Sequence, residues 1–304
     1  IRLVGADTFD GMKTAETFTD ADWGRIRRDW TAWWRGELDR PLVHLAMGGG
    51  VKQPVRGQLT RYGLDTPVGT ILDACEETVM TRRYWGDAFP QFWPNFGAGI
   101  LGGFLGSGVH HENDTTWFSP VRADTLESIR IDYPADNPWF HHVTDFTRAA
   151  TSRWGDRVVI GCTDLGGNLD VLAGLRGTEN LLVDLVDQPG TVERLCREIT
   201  DVWMQCYHHF HGIVAEGGRG FSFWAQYWTP DTGYILQSDF CYMISPEMFE
   251  RFVRPDLEVC CNDLHYPFYH MDGPGQLPHL ERLVEIPGLK GIQWQPGDGQ
   301  PMGD

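Results

Sequence analysis

Apolar positions recur every three to four residues over 20–38, through Trp23, Ile26, Trp30 and the pair Trp33-Trp34, and this period predicts an amphipathic helix. The stretch 40–47 is different: a short apolar run closed by Gly48-Gly49-Gly50, which predicts a buried strand ended by a turn. Asp65-Thr66-Pro67 has the form of a helix start, a capping residue before a first-turn proline, and the helix is expected to run to about Trp85. Residues 88–97 read as extended, 98–108 are rich in glycine, and 110–120 read as an excursion with a short hairpin. A helix over 138–154 then feeds a strand over 157–164 that ends on a carboxylate, and helices follow at 168–175, 179–186 and 189–216. The second half repeats the rhythm. A strand is expected over 220–228, an extended piece over 234–240, a helix over 246–264 opened by Ser245-Pro246, a strand over 268–272, a helix over 276–285 and a strand over 291–295.

Strands alternating with helices predict parallel βαβ units. About seven core strands can be counted, so the expected fold is an α/β, (β/α)8 TIM-type barrel whose last strand lies near or beyond residue 304. The chain reads as one barrel domain over 1–304, with 1–38 as a helical extension packed on it. A doubly wound sheet would carry a GxGxxG turn after a strand; none occurs, and no nucleotide cofactor is expected.

Composition removes several classes of function. With 25 basic against 42 acidic side chains, the net charge is −17, and no basic patch interrupts it, so neither a nucleic acid nor an anionic membrane is an expected partner. No apolar run approaches the roughly 20 residues of a membrane span, and no stretch reads as a signal peptide. The seven cysteines form no CxxC pair, which points to reduced thiols and a cytoplasmic setting. The 13 tryptophans stand beside amides and carboxylates often enough to suit a small, polar, partly apolar ligand.

In a barrel, chemistry gathers where strands end. Those ends carry His44; Trp93 and Asn95; Cys162 and Asp164; Trp224, Gln226 and Trp228; Gln237 and Asp239; His270 and Asp272; Gln293 and Trp294. Strand alternation puts His270 and Asp272 on one side, roughly 6–7 Å apart at Cα, where they suit a shared metal or a base with its orienting carboxylate. The expected catalytic residues are Asp164, Asp239 and Asp272, and the expected metal ligand is His270, joined by Asp272 or Cys241. His44, Trp93, Asn95, Asn168, Trp224, Gln226, Trp228, Gln237, Gln293 and Trp294 are expected to line the substrate site. Asp239 and Asp272 could also act as the acid and base of a glycoside hydrolase or lyase acting on a small sugar or polyol, with Trp224, Trp228 and Trp294 as stacking walls. His208 and His211 on the long helix, and the polar loop 110–114, read as packing and solvated surface.

Several of these segments resemble one family. Trp33-Trp34 with Arg40-Pro41, Phe96-Gly97, Thr163-Asp-Leu-Gly-Gly-Asn-Leu-Asp170, Ser238-Asp-Phe followed by Met243-Ile-Ser-Pro246, Tyr269-His-Met-Asp-Gly-Pro-Gly275 and Ile292-Gln-Trp294 together resemble the uroporphyrinogen decarboxylase-like superfamily, in its bacterial branch next to the corrinoid-linked methyltransferases. The resemblance spans most of residues 20–300 and implies a (β/α)8 barrel. Its methyltransferases hold zinc through a His-x-Cys pair and a later cysteine, to activate a thiol acceptor. Here His270 matches that histidine, while Asp272 replaces the cysteine. The arginine-rich loop of the decarboxylases has no counterpart after Arg40, so porphyrinogen decarboxylation is not expected. The implied function is metal-assisted methyl, or one-carbon, transfer on a small polar substrate, with a divalent metal such as zinc and a corrinoid protein as partner. The aromatic N-terminal helix, with Trp30, Trp33 and Trp34, is expected to support a homodimer.

Overall fold

A computed structural model of the chain describes residues 11–48, 58–121 and 125–297, so Gly49 and Gly50 of the expected turn lie outside the described residues. The first helix, α1 (Asp20–Trp34), starts at Thr19. The Thr19 hydroxyl accepts from the Asp22 amide while the Asp22 carboxylate accepts from the Thr19 amide, a reciprocal cap. Trp23, Ile26 and Trp30 are buried on its inner face against Phe89, Val159 and Trp228. The tryptophans are engaged within the chain itself: Trp30 Nε1 donates to the Asp87 carbonyl at 3.0 Å and Trp34 Nε1 to the Trp228 carbonyl at 2.8 Å.

Strand β1 (His44–Met47) corrects the first strand expectation. It pairs antiparallel with β2 (Arg83–Gly86), which follows α2 (Val68–Thr81), and its outward side chains Leu45 and Met47 are exposed rather than buried. An apolar run marks a strand but not which side of it is covered. Helix α2 stops at Thr81, short of the expected Trp85, because Arg82 turns extended and the chain enters β2. Thr66 does not cap it; its hydroxyl donates back to the Tyr62 carbonyl.

The next strand, β3 (Gln91–Phe92), leads through α3 (Leu101–Phe104) to the hairpin β4 (Gly108–Glu112) and β5 (Thr115–Ser119). Asn113 and Asp114, both at positive φ (50° and 62°), make the two-residue left-handed connection that such hairpins favour. Helix α4 (Pro138–Trp154) delivers the chain to β6 (Val159–Ile160), which lies parallel to β3. Three helices follow, α5 (Asn168–Arg176), α6 (Thr178–Asp187) and the 27-residue α7 (Pro189–Ala215).

The expected strand over 220–228 is not one. Phe221 and Thr229 form an isolated antiparallel bridge around a turn in which Gln226 takes φ 61°, so the chain doubles back. Only its first limb behaves as a strand neighbour: the Cys162 amide donates to the Ser222 carbonyl at 2.9 Å, beside β6. A second parallel set consists of β7 (Gly233–Leu236), β8 (Tyr266–Asp272) and β9 (Ile292–Gln295). Between them the expected single helix over 246–264 is two, α8 (Pro246–Phe252) and α9 (Arg254–Asp263), since Pro255 cannot continue the first. The last helical piece is a tight turn over 274–279 followed by α10 (Leu280–Val284).

One apolar cluster runs from Ala15 to Ile286 and includes the inner faces of α2, α4, α5 and α7. The hydrogen bonds among the described residues leave β3–β6 and β7–β8–β9 as two parallel sets and define no closed barrel. Among the described residues no helix is long and apolar enough to cross a membrane.

Candidate functional site

The register of β7, β8 and β9 assembles the centre. Leu236, the last residue of β7, pairs with Tyr269 in β8, and the tight turn that follows β7 brings Asp239 beside Asp272 at the end of β8. His270 pairs with Gln293 in β9, and the two side chains meet: His270 Nδ1 lies 2.8 Å from Gln293 Oε1. The imidazole that donates from Nδ1 keeps its Nε2 lone pair for another partner, the arrangement found around metal-ligating histidines. Asp239, His270 and Asp272 each offer one ligand atom, and these atoms lie within 4.8 Å of one another. Asp272 Oδ1 is buried without a hydrogen-bond partner, a costly condition for a carboxylate unless something else meets it. One nitrogen and two carboxylate oxygens are a donor set suited to a divalent cation of the zinc, manganese or iron type.

Asp239 is open to solvent at the mouth of this hollow. Desolvation by the surrounding protein raises its carboxyl, the charge of His270 lowers it, and the Asp272 charge raises it again. Its position is fixed from below by Asp170, whose carboxylate accepts from the backbone amides of Asp239 at 3.1 Å and Phe240 at 2.7 Å. Asp170 stands in α5 and was not expected to matter. Its burial, then the neighbouring Asp239 charge, push its own carboxyl up. The only hint in the sequence is an acidic residue in the first turn of a helix directly after two glycines. Gly167 lets α5 approach this closely: a Cβ there would run into the Gln237 carbonyl oxygen and lie 2.7 Å from Asp170 Oδ2. Gly167→Ala is expected to cost roughly 1–3 kcal/mol by overpacking, read as a lowered Tm in thermal denaturation.

Asp164 lies below the centre and not in it. It is 3% exposed, accepts from the Gly166 amide at 2.8 Å and from Gln237 Nε2 at 3.3 Å, and burial pushes it up to about 6. Gln237 is therefore occupied with Asp164 rather than pointing to a ligand. Cys241 is also apart from the cluster: it is buried beside Ser238 and Tyr269, with its thiol pushed up to about 12 by burial, and the candidate metal group among the described residues does not include it. All seven cysteines are buried and free.

The expected binding residues divide. Trp93, Asn95, Trp224 and Gln226 line one cleft of about 210 Å³, together with Gln91, Cys75 and Arg82. Trp224 joins it to the centre, with its ring 4.8 Å from that of His270 and perpendicular to it. Gln293 holds His270, and Trp294 is 45% exposed on the next strand position. His44 packs on Phe89, with ring centroids 5.7 Å apart, and burial and then the Arg82 charge lower its imidazole; Gln226 acts against them. Two expectations are corrected. Trp228 is 1% exposed at the opposite end, packed on α1 with Nε1 donating to the Arg219 carbonyl, because the turn at Gln226 carries it back down. Asn168 is 2% exposed and spends its amide on the Phe252 carbonyl, between α5 and α8. Of the set-aside histidines, His208 meets Asp263 at 2.8 Å and His211 stacks on Phe221 at 4.0 Å.

No family model matches the chain. No curated protein sequence matches it either. Among solved structures it is similar to a methyltransferase from Methanosarcina mazei, with a TM-score of 0.56 over 88% of this chain and 75% of that one, at 12% sequence identity. At that identity the likeness is one of fold.

Proposed function

We propose that the protein is a metal-dependent enzyme that moves a methyl group between a small polar substrate and a carrier, the carrier being a corrinoid-bearing partner protein. The observation that carries this reading is the convergence of Asp239, His270 and Asp272, with an unpartnered carboxylate oxygen among them. A methyltransferase as structural neighbour supports it, as does the resemblance of the strand-end segments described above. The same reading takes β3, β6, residues 221–223, β7, β8 and β9 as the arc of a (β/α)8 barrel, with the centre at its C-terminal mouth.

A divalent cation held here supplies Lewis acidity, lowering the pKa of a thiol or hydroxyl that is to accept the methyl group. His270 and Asp272 would hold it from β8, with Gln293 fixing the imidazole plane. Asp239, exposed at the open side, would take the acceptor's proton. Trp224, edge-on to His270 and lining the adjoining cleft, limits water around the reacting heteroatom.

One observation favours a second reading. The paired oxygens of Asp239 and Asp272 lie within 4.8 Å, closer to the roughly 5 Å of retaining glycosidases than to the wider inverting pair. Elemental mass spectrometry of protein purified without chelators separates the two. About one equivalent of divalent metal is expected, falling below about 0.1 in His270→Ala. Metal-free wild-type protein would reject the first reading and leave the carboxylate pair.

A further inference from the structure

The chain carries 42 carboxylates against 25 basic side chains, so an arginine has little difficulty finding a partner. Arg40 forms ion pairs with Asp29 and Asp87, Arg153 with Asp73 and Glu76, and Arg254 with Glu250, Glu258 and Glu285. Arg27, Arg35, Arg83, Arg130 and Arg197 make no ion pair among the described residues either, but they are exposed to water; Arg82 is the unpaired one that is not. It is half-buried, lines the cleft beside the centre, and makes no ion pair with any carboxylate among the described residues. Cys75 and Thr78 line the cleft from α2, and Arg82 joins them from the extended residue that ends this helix.

The rest of the lining has the same character. Trp93 and Trp224 both present indole N–H groups that are buried and have no acceptor. Buried donors without acceptors are rare in a settled structure, and two in one cleft, with an unpaired guanidinium, define a site that lacks its acceptor. Asn95 and Gln226 add amides, and Gln226 is held at φ 61°, a conformation a residue with a side chain adopts at a cost. Indole faces supply flat apolar walls. Among the described residues nothing acidic lines the cleft.

We propose that this cleft binds a small organic monocarboxylate with a flat, apolar body, its carboxylate held by Arg82 and its body between Trp93 and Trp224. At about 210 Å³ the cleft suits a molecule below drug size, since sites for those start near about 300 Å³. Because Trp224 touches both the cleft and His270, the far end of such an acid points at the Asp239–His270–Asp272 centre. That orientation rests on the function proposed above and makes the acid the partner in methyl transfer; the anion site itself does not depend on it. Arg82 is preferred to lysine at such a place because its fork meets both carboxylate oxygens.

The test uses isothermal titration calorimetry with 4-methoxybenzoate, 4-methoxybenzamide and 4-methoxybenzylamine, three probes of one shape that differ in charge. The acid is expected to bind at least tenfold more tightly than the amide, and the amine more weakly still. Arg82→Gln should weaken acid binding at least tenfold while leaving the amide unchanged. Arg82→Lys should restore part of the loss, which a merely misfolded cleft would not, and Trp93→Phe should cost a few-fold by removing one donor. Equal affinity for acid and amide, no binding of the acid at millimolar concentration, or an Arg82→Gln variant within twofold of wild type would overturn the proposal. His270→Ala separates the two claims. It should still bind the acid after losing its metal; metal without acid binding defeats only the present inference, and acid binding without metal defeats only the proposed function.

Discussion

Alanine at Asp272 is expected to lower zinc affinity by more than about 100-fold, whereas serine at Cys241 should leave it unchanged. The contrast follows from geometry. Asp272 Oδ1 is buried, unpartnered and within 4.8 Å of the other two candidate ligand atoms; Cys241 faces Ser238 and Tyr269 instead. Gln293→Ala should fall between them, weakening zinc roughly 10- to 100-fold, because it frees the His270 ring without removing it. Competition with a chromophoric chelator reads all three affinities. Stability supplies an independent check. In chelator, Asp272→Ala should melt within a few degrees of wild type, since the buried Oδ1 has no hydrogen-bond partner to lose. Loss of zinc binding by Cys241→Ser with retention by Asp272→Ala would assign the centre to the wrong residues.

How far this centre could be read from sequence depended on strand regularity. β8 is an unbroken seven-residue strand, so alternation correctly put His270 and Asp272 on one side. That Asp239 joins them depends on the pairing of Leu236 with Tyr269, a register fixed by contacts between distant segments and invisible in either segment alone. Alternation misled at 220–228, where Phe221, Phe223 and Trp228 look like strand positions. The reversal there rests on one left-handed residue, Gln226, and glutamine carries no sign of it. Strand alternation therefore puts Trp228 at the mouth, whereas it packs at the α1 end. Helices fared better because their ends are chemically marked: Thr19, Asn137 and Ser245 all cap as their residue type suggests. Arg82 and Asp170 were missed for opposite reasons. Arg82 is notable only for the partner it lacks, and Asp170 works through backbone amides 69 and 70 residues away.

A second large effect is expected far from the centre, at Asp256 in α9. This carboxyl is 9% exposed and its one side-chain partner is the Thr200 hydroxyl, at 2.6 Å from Oδ1. The same hydroxyl also lies 2.9 Å from the Cys196 carbonyl. One hydroxyl hydrogen cannot serve both acceptors. A proton on Asp256 resolves the conflict: the acid donates to Thr200 Oγ1, and Thr200 donates to Cys196. Burial accordingly pushes the Asp256 carboxyl up to about 6, from 3.8. The raised value means the folded chain holds a proton that the unfolded chain releases between about pH 4 and pH 6. Its favourable contribution is complete below about pH 4 and is lost as pH rises through about 6, so above that the ionised group is a standing penalty on the order of 3 kcal/mol. Asparagine at 256 keeps the shape, carries its own N–H donor for Thr200 and never ionises. Asp256→Asn should therefore melt several degrees above wild type at pH 8 and within about a degree of it near pH 3.5. A difference in Tm that stays constant across that range, measured by differential scanning calorimetry, would mean that packing and not the buried proton separates the two proteins.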